Sequence, residues 1–65
     1  MKMAKSIIFV EKNPPLFHVI FQDDNGESIL AKTMGEEEAD ERAEHFKSEL
    51  SAGHLLTPDA SANEL

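Results

Sequence analysis

The apolar residues of this chain fall into three short runs, and a longer segment with helical periodicity follows them. The runs span residues 6–10, 16–22 and 28–33 and are rich in the β-branched and aromatic side chains typical of strands. Residues 11–15 separate the first two runs and end in two prolines, which remove ladder donors. A link of this length suits a hairpin, so the pattern predicts three antiparallel strands.

The connection between the second and third runs carries the strongest hairpin signal in the chain. Asn25 and Gly26 lie between the two runs. A type I′ turn needs φ > 0 at both central positions, which asparagine tolerates and glycine adopts without steric cost. A two-residue loop at this pair predicts that Phe21 lies opposite Leu30.

Strand alternation assigns the side chains of this hairpin to two faces, and both faces are apolar. The first face contains Phe17, Val19, Phe21 and Leu30. The second face contains Leu16, His18, Ile20, Ile29 and Ala31. Because one helix covers only one face, we expect the second face to be a candidate interface. The register of the first strand does not follow from alternation, since both of its faces are apolar.

The segment after the third run has the pattern of one amphipathic helix. Its apolar stripe consists of Ala39, Ala43, Phe46 and Leu50. The small residues in this stripe predict a close approach of helix to sheet. Thr33 and Glu36 fit a capping box at the start of the helix. Gly53 is a natural residue just beyond a helix end, which predicts that the helix ends near residues 51–52.

These elements predict an α+β fold, a three-stranded antiparallel meander with one C-terminal helix on one face (β-β-β-α). Residues 1–53 would form a single domain, and residues 54–65 read as a flexible tail in which Leu55 and Leu56 alone are candidates to fold back. A 65-residue chain has room for only one small core. Because the chain has no cysteines to form disulfides, oligomerisation is the remaining way to compensate for the low stability of a small core.

The net charge of −7 argues against direct binding to nucleic acid or to anionic membranes, both of which require clustered basic residues. The chain has no apolar run long enough to span a bilayer. The apolar run after the two lysines of residues 1–5 is too short for a signal peptide. We therefore expect a cytoplasmic protein.

Catalytic chemistry has little support in the sequence. There is no cysteine nucleophile, no glycine-rich phosphate loop, and no pair of histidines at a ligand spacing, so we expect no enzyme, cofactor or metal site. Asp23 and Asp24 suit a solvated hairpin tip, since a calcium loop needs about twelve residues. His18 is expected at the rim of the second face, where the alternative is a pH-sensitive contact.

The helix concentrates the negative charge. Residues 34–52 hold seven acids and two bases, which is −5 of the −7. Glu37, Glu41 and Glu44 form a candidate acidic surface opposite the apolar stripe. One interpretation is a solvated face with ion pairs at the spacing of Glu38 and Arg42. The other is an imitation of a nucleic-acid backbone that occupies a basic cleft on another protein, as in small phage-encoded inhibitors.

The segment of residues 24–50 also resembles part of a known family. Asn25-Gly26-Glu27, Ile29-Leu30 and the spacing of Ala39 and Ala43 are similar to the repeats of the small bacterial YegP-like family, in which a three-stranded meander precedes a helix. The resemblance covers roughly residues 7–50 and implies the same fold. The connection at Pro14-Pro15 departs from the family pattern, and the family implies no activity.

The predicted function is that of a non-enzymatic protein–protein interaction module acting as a homodimer. The second face of the sheet, or the edge of the first strand, would be buried between copies. The alternative is the acidic inhibitor that mimics nucleic acid. A further, unidentified protein partner is compatible with either interpretation.

Overall fold

The computed structural model describes residues 6–63, with side chains through residue 62. Its elements in chain order are β1 (Ile7–Asn13), β2 (Leu16–Asp23), β3 (Gly26–Thr33), α1 (Glu36–Ser51) and a 3₁₀ helix (Ala60–Asn63). The strands form one antiparallel sheet in the order β1-β2-β3. The predicted β-β-β-α fold is therefore confirmed. The basic start at residues 1–5 and the last two residues of the expected tail lie outside the described residues.

The connection between β1 and β2 is shorter than the sequence predicts. Residues 11–13 continue β1, and Asn13 pairs with Leu16, so only Pro14 and Pro15, joined by a cis peptide bond, remain in the loop. The pairing also sets the register of β1. Ile8 lies opposite Phe21 on the side of the helix, which places the neighbouring side chains Ile7 and Phe9 on the other side.

The loop of the second hairpin is displaced by one residue from its predicted position. Asp23 pairs with Gly26, so Asp24 and Asn25 form the loop. The carboxylate of Asp23 accepts a hydrogen bond from the Asn25 N–H at 2.9 Å, which favours a turn beginning at Asp23. Gly26 has φ 128° and is the first residue of β3.

A β-bulge in β3 corrects the face assignment further along the strand. Phe21 pairs with Ser28 rather than with Leu30, and the register then shifts so that Val19 pairs with Ala31. The extra residue lets Leu30 and Ala31 both join the core against the helix. The prediction that Ala31 lies on the second face is therefore wrong, because alternation fails at the bulge.

Helix α1 covers one face of the sheet and packs against all three strands. Its buried side chains are Ala39, Ala43 and Phe46, as the apolar stripe predicts, with Leu50 partly buried beside them. The two alanines let the helix backbone approach the central strand, where Val19 is 0% exposed.

The two ends of α1 differ in how well the sequence predicts them. Gly35 is the N-cap and makes no side-chain capping bond, while the Thr33 hydroxyl donates to the Gly35 carbonyl at 2.8 Å, so the predicted capping box is absent. The C-terminal end is confirmed. Gly53, at φ 80°, donates to the Leu50 carbonyl and His54 to the Glu49 carbonyl, which is the Schellman pattern.

The segment after the helix docks on β3, which corrects the expectation of a flexible tail over most of its length. The Asp59 N–H donates to the Leu30 carbonyl at 2.7 Å, and the Lys32 N–H donates to Ser61 Oγ at 3.1 Å. Leu56 packs against the core, whereas Leu55 is exposed. Residues 59–62 therefore cover the outer edge of β3 at Leu30 and Lys32, in the second half of the strand.

Asp59 connects this segment to the rest of the molecule. Its carboxylate accepts hydrogen bonds from the Ala60 N–H at 2.8 Å and the Ser61 hydroxyl at 3.3 Å. Its Oδ2 also lies 3.6 Å from Arg42 Nη1, so Arg42 pairs across to the C-terminal segment rather than along the helix with Glu38.

We predict that Gly26→Val lowers the free energy of unfolding by about 1–2 kcal/mol, because a β-branched residue is strained at positive φ. Gly35→Ser is the control. Gly35 has φ −114° and open space where a Cβ would project, and serine caps helices well, so stability should be equal or a few tenths of a kcal/mol higher. Urea unfolding measures both. A neutral Gly26→Val would contradict the backbone conformation at this turn.

Asp59→Ala should lower the free energy of unfolding by about 1–2 kcal/mol, because the hydrogen bond from the Ala60 N–H and the ion pair with Arg42 are lost. It should also speed hydrogen exchange at the Lys32 amide, which the docked segment covers. Asp40→Ala, at an exposed helix position, is the control. Unchanged exchange at Lys32 in the Asp59 variant would mean that the carboxylate does not hold the segment in place.

Candidate functional site

The face of the sheet that α1 does not cover, here called the outer face, has an apolar row at its centre. Phe9, Ile20 and Ile29 lie side by side across the three strands as directly paired residues. Directly opposed side chains of neighbouring strands are within contact distance. Ile7 and Leu16 extend the apolar surface towards the two ends of the sheet.

A polar row crosses the outer face next to the apolar one. His18 of the central strand is flanked by Glu11 on β1 and by Lys32 on β3. Lys32 reaches this row because the bulge moves it to the outer face. The row brings an acid, a histidine and a base together across the sheet, which stabilises the strand pairing modestly. It separates Leu16 from the central apolar row.

The centre of the apolar row is already shielded from water. Ile20 is only 3% exposed although the helix lies on the other side of the sheet, and its directly paired neighbours are Phe9 and Ile29. Exposure increases towards the free edge of the sheet, where Ile7 on β1 is 53% exposed. The water-accessible apolar area therefore lies at the margins of the outer face and along β1.

The structure brings together four of the five side chains predicted for the second face. Leu16, His18, Ile20 and Ile29 share the outer face, and Ala31 lies in the core instead. Sequence reasoning missed Phe9 and Ile7. Their placement depends on the pairing of β1 with β2, which no alternating pattern in residues 6–10 could reveal.

The predicted acidic surface is exposed along α1. Glu37, Glu41 and Glu44 are all exposed. The first turn of the helix contains three acids, Glu37 and its neighbours Glu36 and Glu38, which complement the helix dipole. Glu37, Glu41 and Glu44 therefore have no structural role in the core, and their contribution is to the charge of the helix surface.

One open groove lies on the helix side, between the end of α1 and the chain that returns to β3. Its volume is about 380 Å³. The lining residues are Phe21, Ser28, Leu30, Leu50, His54, Leu55, Leu56 and Pro58. The only side-chain polar groups in this lining are the hydroxyl of Ser28 and the imidazole of His54. His54 is directed to Glu49, with Nδ1 and Oε1 3.2 Å apart.

The described part of the chain offers few groupings of side chains suited to acid–base catalysis or metal binding. Residues 6–63 contain no group of three or more histidine, aspartate or glutamate side chains that could hold a metal ion. His45 contacts the ring of Phe46 edge-on, and no carboxylate of these residues lies within ion-pairing distance of it. Within the same residues, α1 is too short and too polar to cross a bilayer.

Comparison of this chain with protein-family models, with curated proteins and with solved structures yields no match. The resemblance to the YegP-like family therefore stays a prediction from the sequence.

Packing on the outer face can be measured through stability. Ile20→Ala should cost about 2–4 kcal/mol, because it leaves a cavity between Phe9 and Ile29. This is most of the stability expected of so small a core. Ile7→Ala, at the exposed position on the same face, should cost less than about 1 kcal/mol. Thermal and urea unfolding of the two variants provide the comparison. Equal losses would contradict the shielding of Ile20.

Proposed function

We propose that this protein is a non-enzymatic protein–protein interaction module that acts as a homodimer. The contact region is the apolar margin of the sheet, formed by the outer face and the adjoining strand β1. The observation that carries this proposal is an apolar sheet face that no helix or strand of residues 6–63 covers. One helix packs on one face, while five apolar side chains lie on the other, and the most exposed of them is on β1.

The size of the core supports the same proposal. Eight apolar residues are buried in the described part of the chain, and three of them are alanines. A core of this kind supplies only ~3–5 kcal/mol, and disulfides cannot add to it in a chain without cysteines. Burial of further apolar surface between two copies is the remaining source of stability, and it couples folding to association.

A non-enzymatic role is consistent with the chemistry of the described residues. The charged side chains of residues 6–63 include a polar row on the sheet, an exposed acidic helix and the contacts of Asp59. The Ser61 hydroxyl donates to Asp59, but no histidine of these residues lies beside this pair to complete a catalytic arrangement. The surface that remains for function is the one that two subunits would make together.

We expect sedimentation equilibrium to detect a monomer–dimer equilibrium at protein concentrations of about 1–100 µM, the affinity range of modest interfaces. Each protomer carries a net charge of −7, so the copies repel one another and added salt should strengthen the dimer. A monomer at every concentration and salt would overturn the proposal. A dimer that salt dissociates would show that ion pairs rather than apolar and backbone contacts hold it.

The alternative function, an inhibitor that mimics nucleic acid, is favoured by one observation. Glu37, Glu41 and Glu44 are all exposed on a helix whose segment carries −5. Such an inhibitor should displace a short DNA duplex from a basic DNA-binding protein, and changing all three glutamates to lysine should abolish the displacement. Salt should weaken this binding, opposite to its effect on the homodimer.

A matched control for the mimic changes the same amount of charge away from the helix, with Glu11, Asp24 and Glu27 replaced by lysine. This variant should still displace the duplex if the helix surface is the contact. Equal loss in both triple variants would show that net charge alone is responsible, and no displacement by the unmodified protein would exclude the mimic for that DNA-binding protein.

A further inference from the structure

The two edge strands of the sheet differ in whether another segment covers their outer side. The outer edge of β3 is covered by the C-terminal segment through the hydrogen bonds of Asp59 and Ser61. Strand β1 forms the other edge, and within residues 6–63 no strand, helix or backbone hydrogen bond occupies its outer side. A sheet with an unpaired edge is a template for pairing with another strand.

The backbone groups at this free edge follow from the register. Lys32 directs its N–H away from β2, to Ser61, so the residue opposite it, His18, must direct its own backbone groups to β1. His18 pairs with Glu11, and alternation then turns the odd-numbered residues of β1 inward to β2. Ile8, Val10 and Lys12 therefore present their N–H and C=O groups to the outside.

We propose that two copies of this chain join along β1, antiparallel to each other, into one continuous six-stranded sheet. This inference rests on the proposed homodimer and specifies its contact. A two-fold axis at Val10 pairs Val10 with its own copy, and pairs Ile8 with Lys12 of the second copy. In this register the outward N–H and C=O groups of all three residues are paired across the dimer. If the register between the two β1 strands shifts by two residues, one of the three residues has no partner among them.

Two further features favour a second copy of β1 as the occupant. Residues 7–10 are four consecutive apolar residues, and the only charges on the strand are Glu11 and Lys12, which cancel. The negative charge of each protomer is concentrated on α1 instead. The outer face is the weaker candidate for the contact, because Ile20 at its centre is 3% exposed and would gain little from further burial.

The covered edge of β3 determines how far the assembly grows. A protomer with two open edges would add copies without end, whereas one open edge closes the assembly at two. In the resulting dimer the two outer faces lie side by side, and Ile7 and Phe9 of each copy border the junction. The composite surface is then twice as wide as that of one protomer.

The first experiment removes one outward-facing amide. Lys12→Pro deletes an N–H on the free side of the edge strand, where proline is tolerated, and the symmetric dimer loses two hydrogen bonds. We expect the dissociation constant to rise about tenfold or more. Lys12→Ala is the matched control, since it shortens the same exposed side chain and keeps the amide, and it should leave the dimer within about threefold of the unmodified protein.

Ile29→Glu tests the competing face-to-face arrangement, because Ile29 is on the outer face of the strand farthest from β1. The edge contact predicts that this variant remains dimeric. A dimer lost in Ile29→Glu and kept in Lys12→Pro would overturn the edge contact while the homodimer stands. An unmodified protein that is monomeric throughout would overturn both proposals.

A second measurement reports the register without depending on proline. In the pairing centred on Val10, Ile7 lies directly opposite Asn13 of the second copy, on a pair whose Cα atoms are about 4.5 Å apart. That spacing permits a disulfide. The chain has no cysteine, so a mixture of Ile7→Cys and Asn13→Cys protomers should form the mixed disulfide on mild oxidation. Either variant alone should not, because its two cysteines would be about 20 Å apart along the strands. Equal cross-linking in all three samples would contradict this register.

Discussion

Two consecutive residues of β3, Leu30 and Ala31, both pack against the helix, and much of the structure depends on this break in strand alternation. Leu30 fills the core, and Ala31 leaves room for the close approach of α1. The same break moves Lys32 to the outer face beside His18, and Thr33 to the helix side, where it is buried and donates to the Gly35 carbonyl. The bulge therefore links the packing of the core to the polarity of the opposite face. The Leu30 carbonyl, turned away from β2, is also the acceptor that holds Asp59.

The two faces of the sheet consequently have different physical roles. The helix side is a small core of apolar side chains around Val19, and its energy comes from removal of apolar area from water. On the outer face, Ile20 has Phe9 and Ile29 as directly paired neighbours on either side, the arrangement in which cross-strand pairs stabilise a sheet. Because Ile20 at the centre of this face is only 3% exposed, a second layer would remove little further apolar area from water there. This explains why an apolar face is a weaker indication of an interface here than an open backbone edge.

The parts of the fold that could be predicted are those set by local pattern. The three strands, the buried stripe of α1 and the end of the helix before Gly53 all follow from periodicity or from the backbone freedom of glycine. The sequence-based predictions are wrong where two local preferences compete, or where residues distant in sequence determine the structure. The Asp23 carboxylate displaced the loop from Asn25-Gly26. Ala31 changed face because a bulge has no sequence pattern of its own. The C-terminal segment read as a tail because its contacts with Leu30, Lys32 and Arg42 are all distant in sequence. On the outer face, Phe9 and Ile7 required the register of β1.

The length of α1 has a consequence for the segment that follows it. Sixteen helical residues span about 24 Å, and the eight residues of β3 span about 26 Å, so the helix returns the chain to the hairpin end of the sheet. From there the Schellman turn at Gly53 sends it back along β3. Insertion of one residue in α1 would rotate everything beyond it by about 100° about the helix axis. Asp59 would then miss both Arg42 and the Leu30 carbonyl. Length changes should therefore be tolerated at the tip of the second hairpin but not within the helix, even on its solvent-exposed side.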